Sequence, residues 1–300
     1  MITFPLFQFL RWLLVIVTGR GYDRAGWMNN LHHKLSYRLH TWKPAFGLRG
    51  IRTVPAPGMP GKFLYVRAED GGVAHQLIVY RQYEPFESSV VRTYLKPGMT
   101  VYNIGANIGY YVLLASESVG RRGTVYAFEP EPRNVELLKK NVAENNASNV
   151  KVCPSALGAE RGTAMLSLSS TNSGDHRLTA IADREHVSVP VTTIDDLIEA
   201  GYPKPDVIIM DVQGSELDVV RGSIELLKSR SPLVIFTEFW PEGLNERHAN
   251  GASELLEILG TSGFQFHRID EKQKRISAVT AESLRSSVRG STEVNLLVAR

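Results

Sequence analysis

Asp211, Glu238, Glu129 and His176 are the residues whose types and surroundings best suit acid–base chemistry or ligand capture in this chain. Asp211 ends the apolar run Asp206-Val-Ile-Ile-Met210 and opens Asp211-Val-Gln-Gly-Ser-Glu216. Glu238 ends Leu233 to Phe236 and its continuation Thr237-Glu238. Continuous apolar runs of this length are strands buried on both faces. Carboxylates at the carboxyl ends of such strands lie where open α/β sheets bind ligands. His176 sits in a polar stretch, Thr171 to His186, and loops of this kind on a rigid scaffold contact substrates. The same positions have plainer readings: Glu216 as a helix-start charge, and Thr171 to His186 as a surface insertion.

A carboxylate needs something to act on, and the stretch Val101-Tyr-Asn-Ile-Gly-Ala-Asn-Ile-Gly-Tyr110 supplies a place for it. It reads as a buried strand, a glycine turn and a helix from Tyr110 to Val119, with Asn103 ending the strand. Gly105 and Gly109 permit a close backbone approach to a ligand, and the helix start presents unpaired N–H groups. One unit later Thr124 to Phe128 forms a strand ending in Glu129-Pro-Glu-Pro132, where a carboxylate can accept both hydroxyls of a ribose. Pro132 opens the next helix, Arg133 to Asn145. The glycine spacing differs from the dinucleotide fingerprint.

The blocks NIGANIGYY, AFEPEPRNVELLKKNV, VPVTTIDDL, IIMDVQGSELDVVRG and VIFTEFW, in this order, resemble the FkbM-type S-adenosylmethionine-dependent methyltransferases. The resemblance is strong over residues 75 to 240. It implies an α/β fold, a Rossmann-like class I methyltransferase sheet, mostly parallel with an antiparallel terminal strand near Glu293 to Ala299. It implies S-adenosylmethionine as cofactor, with contacts from Asn103, Gly105, Ala106, Asn107, Gly109, Glu129, Ser155, Ala156 and Asp211, and from Tyr83 and Glu84 ahead of the sheet. Two positions depart from the family: Asn103 stands where Asp is usual, and Gln213 where Glu is usual. Hydrogen bonding survives both changes, while charge that would favour a cationic cofactor is lost.

A methyl sulfonium is already a strong electrophile, so alignment and a route for the acceptor's proton remain for the protein. Asp211, Glu238 and His176 are the candidate general bases. Asp211 is expected to stay ionised near neutral pH because its neighbour Gln213 carries no charge. No His/Asp spacing demands a metal. Three activities compete: O-methylation of a sugar or secondary-metabolite hydroxyl, nicotinamide-dependent oxidation, and cofactor binding without catalysis.

The remaining sequence bounds the setting. A chain of 300 residues, 43% hydrophobic and 22% charged, buries a sizeable core. A net charge of +3 is too small to argue for nucleic acid. The single cysteine, Cys153, excludes an intramolecular disulfide framework and reads as a buried structural thiol. The expected location is cytoplasmic, with membrane association as a second expectation. Residues 4–17 are almost wholly apolar but shorter than a bilayer span, and a signal peptide fits them poorly. They are expected to pack on the domain or on a second copy, or to touch a membrane shallowly beside Arg20, Arg24, Lys34 and Arg38. Residues 22 to 50, with His32, His33 and His40, complete a helical appendage, and Thr53 to Gly61 is a linker or loop. Residues 1–61 are thus expected as appendage and 62–300 as the catalytic domain, its start marked by a β-hairpin of Lys62–Glu69 and Val73–Tyr80 around Asp70-Gly71-Gly72. The expected partner is a small-molecule or glycan acceptor.

Overall fold

A computed structural model describes residues 50–229, 232–288 and 292–300. The apolar segment 4–17 and all but the last residue of 22–50 lie outside the described residues. Among the described residues no helix is long and apolar enough to cross a membrane.

Thirteen described strands run in chain order: β1 Ile51–Pro55, β2 Phe63–Arg67, β3 Thr100–Ile104, β4 Thr124–Phe128, β5 Val150–Cys153, β6 Ala156–Leu157, β7 Gly162–Leu168, β8 Glu185–Thr192, β9 Val207–Met210, β10 Val234–Phe239, β11 Gln265–Asp270, β12 Arg275–Val279 and β13 Val294–Ala299. Eight of them form one sheet in the order β12-β11-β13-β10-β9-β3-β4-β5. From β10 across to β5 every pairing is parallel. β13 inserts between β10 and β11, antiparallel to both, as expected for the terminal strand. The parallel strands read as unbroken apolar runs because helices cover both faces. Val101, Val125 and Val207 turn to one core cluster, and Tyr102, Tyr126 and Ile208 to the other.

The helices that matter for the site are α1 Pro85–Tyr94, α2 Tyr110–Val119, α3 Pro132–Glu144, α4 Ile194–Glu199, α5 Glu216–Arg221, α6 Ile224–Lys228 and α7 Pro241–Arg247. Glu131 caps α3 by accepting the Asn134 N–H at 2.6 Å, and Thr193 caps α4 by accepting from Asp196 at 2.9 Å. The segment from Glu216 to Lys228 forms two helices and not one. A Cβ on Gly222 would stand 2.0 Å from the carbonyl oxygen of Gly158, so the chain breaks where it passes that backbone.

The expected hairpin is displaced. β2 pairs antiparallel with β1, Ile51 opposite Arg67 and Pro55 opposite Phe63, so the Pro/Gly-rich segment is its loop and the strand pair crosses the 61/62 boundary. Val73–His75 is helical and Gln76–Tyr80 continues as a π-helical turn. The reason lies at Asp70: its Oδ2 accepts the Ala74 N–H and its Oδ1 accepts the Ser173 N–H, at 3.0 and 2.6 Å. Gly72 is packed against Asn172, whose Oδ1 would be 1.8 Å from an added Cβ. Asp70-Gly71-Gly72 is therefore a helix start clamped to a distant loop.

The outer edge of β2 is closed by side chains. Asn141, fully buried on α3, accepts from Tyr65 N and donates to Tyr65 O, and Asn145 does the same for Phe63. Each amide stands in for the peptide group of a neighbouring strand. Asn141 also donates to the carbonyl of Ile108 at 2.7 Å, tying α3 to the glycine turn.

Candidate functional site: a cleft at the switch point

β3 lies between β4 and β9, and the chain leaves it towards β4 before returning to β9. The carboxyl ends of β3 and β9 therefore diverge around a crevice, the general ligand position in such sheets. The two sequence motifs meet there. A Cβ on Gly105 would lie 1.9 Å from the carbonyl oxygen of Asp211, which explains glycine at this position, and Asp211 N donates to Ile104 O at 3.0 Å. Gly109 begins α2 with φ +98°, and a Cβ there would meet Leu138 at 2.6 Å.

One cleft is lined by Tyr83, Glu84, Asn103, Gly105, Ala106, Asn107, Glu129, Ser155, Ala156, His176, Asp211 and Glu238. Of the site residues expected from the sequence, Gly109 is the one outside this lining; it packs beneath the turn. Glu87, Tyr110, Tyr111, Ser173, Gln213 and Asn295 line the cleft as well. Sequence reasoning had not given these a site role. A lone Asn in the apolar strand β13, opposite Glu238 in register, was the available signal for Asn295.

At one end Glu129 is 5% exposed, and its carboxylate braces the turn: Oε2 accepts the Asn107 N–H at 2.7 Å and Oε1 accepts the Glu131 N–H at 2.9 Å. Burial pushes its pKa up to about 7, against these hydrogen bonds, which favour the charged form. His176 belongs to this end. Its Nδ1 accepts the Ser169 N–H at 3.0 Å, which leaves the proton on Nε2, and burial lowers its pKa. The charges acting on it are those of Glu131, Asp70, Asp175 and Arg184. In this tautomer His176 is a donor and offers no free lone pair for proton removal.

The loop carrying His176 is fastened over the cleft. The Ser173 carbonyl accepts from Asn107 Nδ2 at 2.9 Å and from Asn134 Nδ2 at 3.3 Å. Farther along, Arg247 donates to the Leu178 carbonyl while also pairing with the buried Asp218.

The other end is acidic. Gln213 Nε2 donates to Asp211 Oδ1 at 2.7 Å and reaches Glu238 Oε2 at 3.4 Å, so one neutral amide bridges two carboxylates. Tyr111 donates to Glu84 Oε2 at 2.8 Å, and Asn295 donates to Glu87. Asp211 is exposed on the cleft interior, and desolvation by the cleft walls, followed by Glu293, raises its pKa against the Gln213 hydrogen bond. The neutral neighbour Gln213 removes one repulsion, while desolvation and Glu293 act against the ionised form expected of Asp211. Glu238 is raised further, by burial and then by Asp211. Burial also lifts Glu84 to about 7, despite the Tyr111 hydrogen bond. Among the described residues no group of His, Cys, Asp and Glu is arranged to hold a metal ion.

Residues 103–272 match the family described as the methyltransferase FkbM domain. The chain belongs to this family. S-adenosylmethionine is accordingly its cofactor, and the cleft suits that cation: carboxylates at both ends, glycines at the turn, and Asn103, 4% exposed, with an Oδ1 that has no hydrogen-bond partner. A hexuronic acid methyltransferase of Haloferax volcanii is 25% identical over 153 residues, covering 50% of this chain and 61% of that protein's length. An FkbM methyltransferase structure from Methylobacillus flagellatus superposes with a TM-score of 0.42 at 15% identity, covering 75% of this chain and 52% of that one. A precorrin-6y C5,15-methyltransferase of Geobacter metallireducens gives a TM-score of 0.38 at 15% identity, over 71% and 86% of the two chains.

Proposed function

We propose that this chain is an S-adenosylmethionine-dependent O-methyltransferase acting on a hydroxyl of a sugar or other polyhydroxylated small molecule. The observation that carries the reading is the paired carboxylates of Asp211 and Glu238, bridged by Gln213, at the end of the cleft opposite Glu129. S-adenosylmethionine supplies a methyl group on sulfur that an acceptor oxygen can displace. Alignment, exclusion of water and a destination for the acceptor's proton fall to the protein. Glu129 is placed to hold the ribose hydroxyls with the carboxylate lone pairs left over from the Asn107 and Glu131 N–H groups. Asn103 offers its free Oδ1 to a donor group, while Ser155 and Ala156 border the nucleoside end.

Asp211 is the proton acceptor, and a carboxylate whose pKa is raised towards that of its task is a better base. Glu238, pushed up to about 11 by burial and then by Asp211, holds a proton and orients the acceptor beside it. His176, with Nε2 protonated, binds and orients. The similarity to a hexuronic acid methyltransferase supports a sugar acceptor. A small-molecule or glycan partner follows from the same argument. The single cysteine supports a cytoplasmic location, and the β1–β2 pairing supports a catalytic unit of residues 62–300 with β1 added.

The test combines a panel of neutral sugars and glycosides with labelled cofactor, reading methyl incorporation and its position by mass spectrometry. O-methylated product that disappears in Asp211→Asn and Glu238→Gln, with cofactor binding retained, supports the reading. Product methylated on nitrogen or carbon refutes it.

A further inference from the structure

The loop over the cleft is fastened at two places that share no residue. Asp70, Asn107 and Asn134 hold Ser173 at the nucleoside end. At Arg177 and Leu178 the loop rests on α7 instead. The Arg177 guanidinium lies 4.5 Å over the Trp240 ring, and its Nη1 is 3.6 Å from Glu246. A Cβ on Gly243 would lie 2.1 Å from that ring, so glycine lets the indole lie against the first turn of α7. Arg247, the last residue of α7, donates from Nη1 to the Leu178 carbonyl at 2.6 Å.

The aim of Arg247 is set from the other side. Asp218 is 4% exposed, and a buried carboxylate is costly unless it is paired. One of its oxygens meets Arg247 Nε and the other meets His248 Nε2 at 2.6 Å. A guanidinium is a rigid fork, so an Nε held on Asp218 fixes where Nη1 points. The same helix reaches two more walls of the cleft. It follows directly on β10, which carries Glu238, and a Cβ on Gly214, next to Gln213, would stand 3.0 Å from the backbone of Gly243. Leu178, Gln213 and Glu238 line the cleft, whereas Trp240 and Arg247 stand behind the lining.

We propose that α7 sets the acceptor side of the cleft and that Arg247 is its positioning residue: anchored on Asp218, it pins the Leu178 wall in a fixed place relative to the Gln213 turn. Arg247 touches neither cofactor nor acceptor and acts through Leu178. The nucleoside end has its own fastening, so loss of the α7 contact frees the acceptor side and spares cofactor binding. The inference rests on the proposed place of the acceptor beside Asp211 and Glu238, and it holds whichever atom of the acceptor is methylated.

Arg247→Ala strips the buried Asp218 of a partner and endangers the fold, so Arg247→Lys carries the test. A single ammonium keeps a charge beside Asp218 but cannot reproduce the fork that also holds Leu178. Arg221→Lys is the control: it disturbs the same charge cluster, through Glu254 and His248, without reaching the loop. Both full-length variants are checked for folding by thermal melt. Hydrogen exchange read by mass spectrometry should quicken about tenfold or more over residues 176–182 in Arg247→Lys alone, with residues 171–174 unchanged. Affinity for S-adenosylhomocysteine, by titration calorimetry, should stay within about threefold. These two arms need no acceptor, so they are read separately from the sugar proposal. On a panel sugar that the unaltered protein methylates, the acceptor KM should rise about tenfold or more in Arg247→Lys, with kcat within about threefold. Unchanged exchange in Arg247→Lys, or the same increase in Arg221→Lys, overturns the proposal. So does cofactor affinity lost together with the loop, or an unchanged acceptor KM.

Discussion

Replacing Glu129 separates two jobs that the structure gives to one carboxylate. Its oxygens accept the Asn107 and Glu131 N–H groups at 2.7 and 2.9 Å, and the side chain also lines the cleft. Glu129→Ala leaves both buried N–H groups unsatisfied, at about 1–3 kcal/mol each when water cannot reach them. Against this, it removes a carboxyl whose pKa of about 7 shows that its ionised form is disfavoured in the fold. The net loss of stability should therefore be modest, about 1–3 kcal/mol. Cofactor affinity has no such compensation. Two ribose hydroxyls lose a charge-assisted acceptor, about 2–3 kcal/mol, or roughly 30- to 150-fold in Kd. Glu129→Gln sharpens the test. Its amide keeps one acceptor oxygen but presents an NH2 group to one of the two N–H donors, so it should lose nearly as much cofactor affinity as Ala. Titration calorimetry with S-adenosylhomocysteine, beside chemical denaturation, measures both quantities. Unchanged affinity in a folded Glu129→Ala protein would refute the ribose assignment and leave Glu129 as a brace for the glycine turn.

Asp211→Asn and Glu238→Gln should each lower kcat by about 10²-fold or more with the fold retained, read from initial rates per folded molecule; unchanged turnover in both removes Asp211 as the base and Glu238 as the group that orients the acceptor. Asn141→Ala removes hydrogen bonds to Tyr65 N, Tyr65 O and Ile108 O and should cost about 2–4 kcal/mol in urea unfolding, because it strips the Tyr65 N–H and carbonyl on the β2 edge of their partner. Without cofactor, stability should fall as pH rises from about 5 to about 8. Glu129 and Glu216 have folded pKa values near 7 against ordinary values near 4.5, so the folded state binds more protons in that window and loses this contribution as pH rises through about 7. Thermal melts across the window check the sign, and a rising melting temperature would contradict it. Gly72→Ala should displace the Asn172 loop and reduce cofactor affinity more than a Gly162→Ala control, since an added Cβ at Gly72 overlaps Asn172 while none is met at Gly162.

The alternation of apolar runs and helix starts made the parallel sheet legible, because each strand buried on both faces shows up as an uninterrupted apolar segment. Position within the sheet made the ends of β3, β4, β9 and β10 readable as ligand contacts. What escaped was tertiary. Val73–Tyr80 has the composition of a strand, but Asp70 holds its start helical while itself clamped to the Asn172–Ser173 loop, which is distant in sequence. The edge of β2 seeks another strand and finds two asparagine side chains from α3. The sheet of β6, β8 and β7 was visible only as separate β-rich pieces, since β6 has two residues and its pairing with β8 spans a long insertion. Glu87 resembles any helix-start carboxylate until β13 brings Asn295 to it.

Backbone conformation supplies a further sign of function that no residue type announces. Glu84, Asn107 and Gln213 all line the cleft in the left-handed region, with φ of +40°, +47° and +52°. Asparagine tolerates this conformation, whereas Glu and Gln adopt it at a cost. Such strain persists where the surroundings over-determine it, and each of these side chains is fixed by a partner: Glu84 by Tyr111, Asn107 by Ser173, and Gln213 by Asp211 and Glu238. At Gln213 the turn aims one amide NH2 between two carboxylates. Glutamate at that point would add a third negative charge with no donor to separate the pair. The neutral amide bridges the two carboxylates, and its hydrogen bond to Asp211 favours that group's ionised form against the desolvation that raises it.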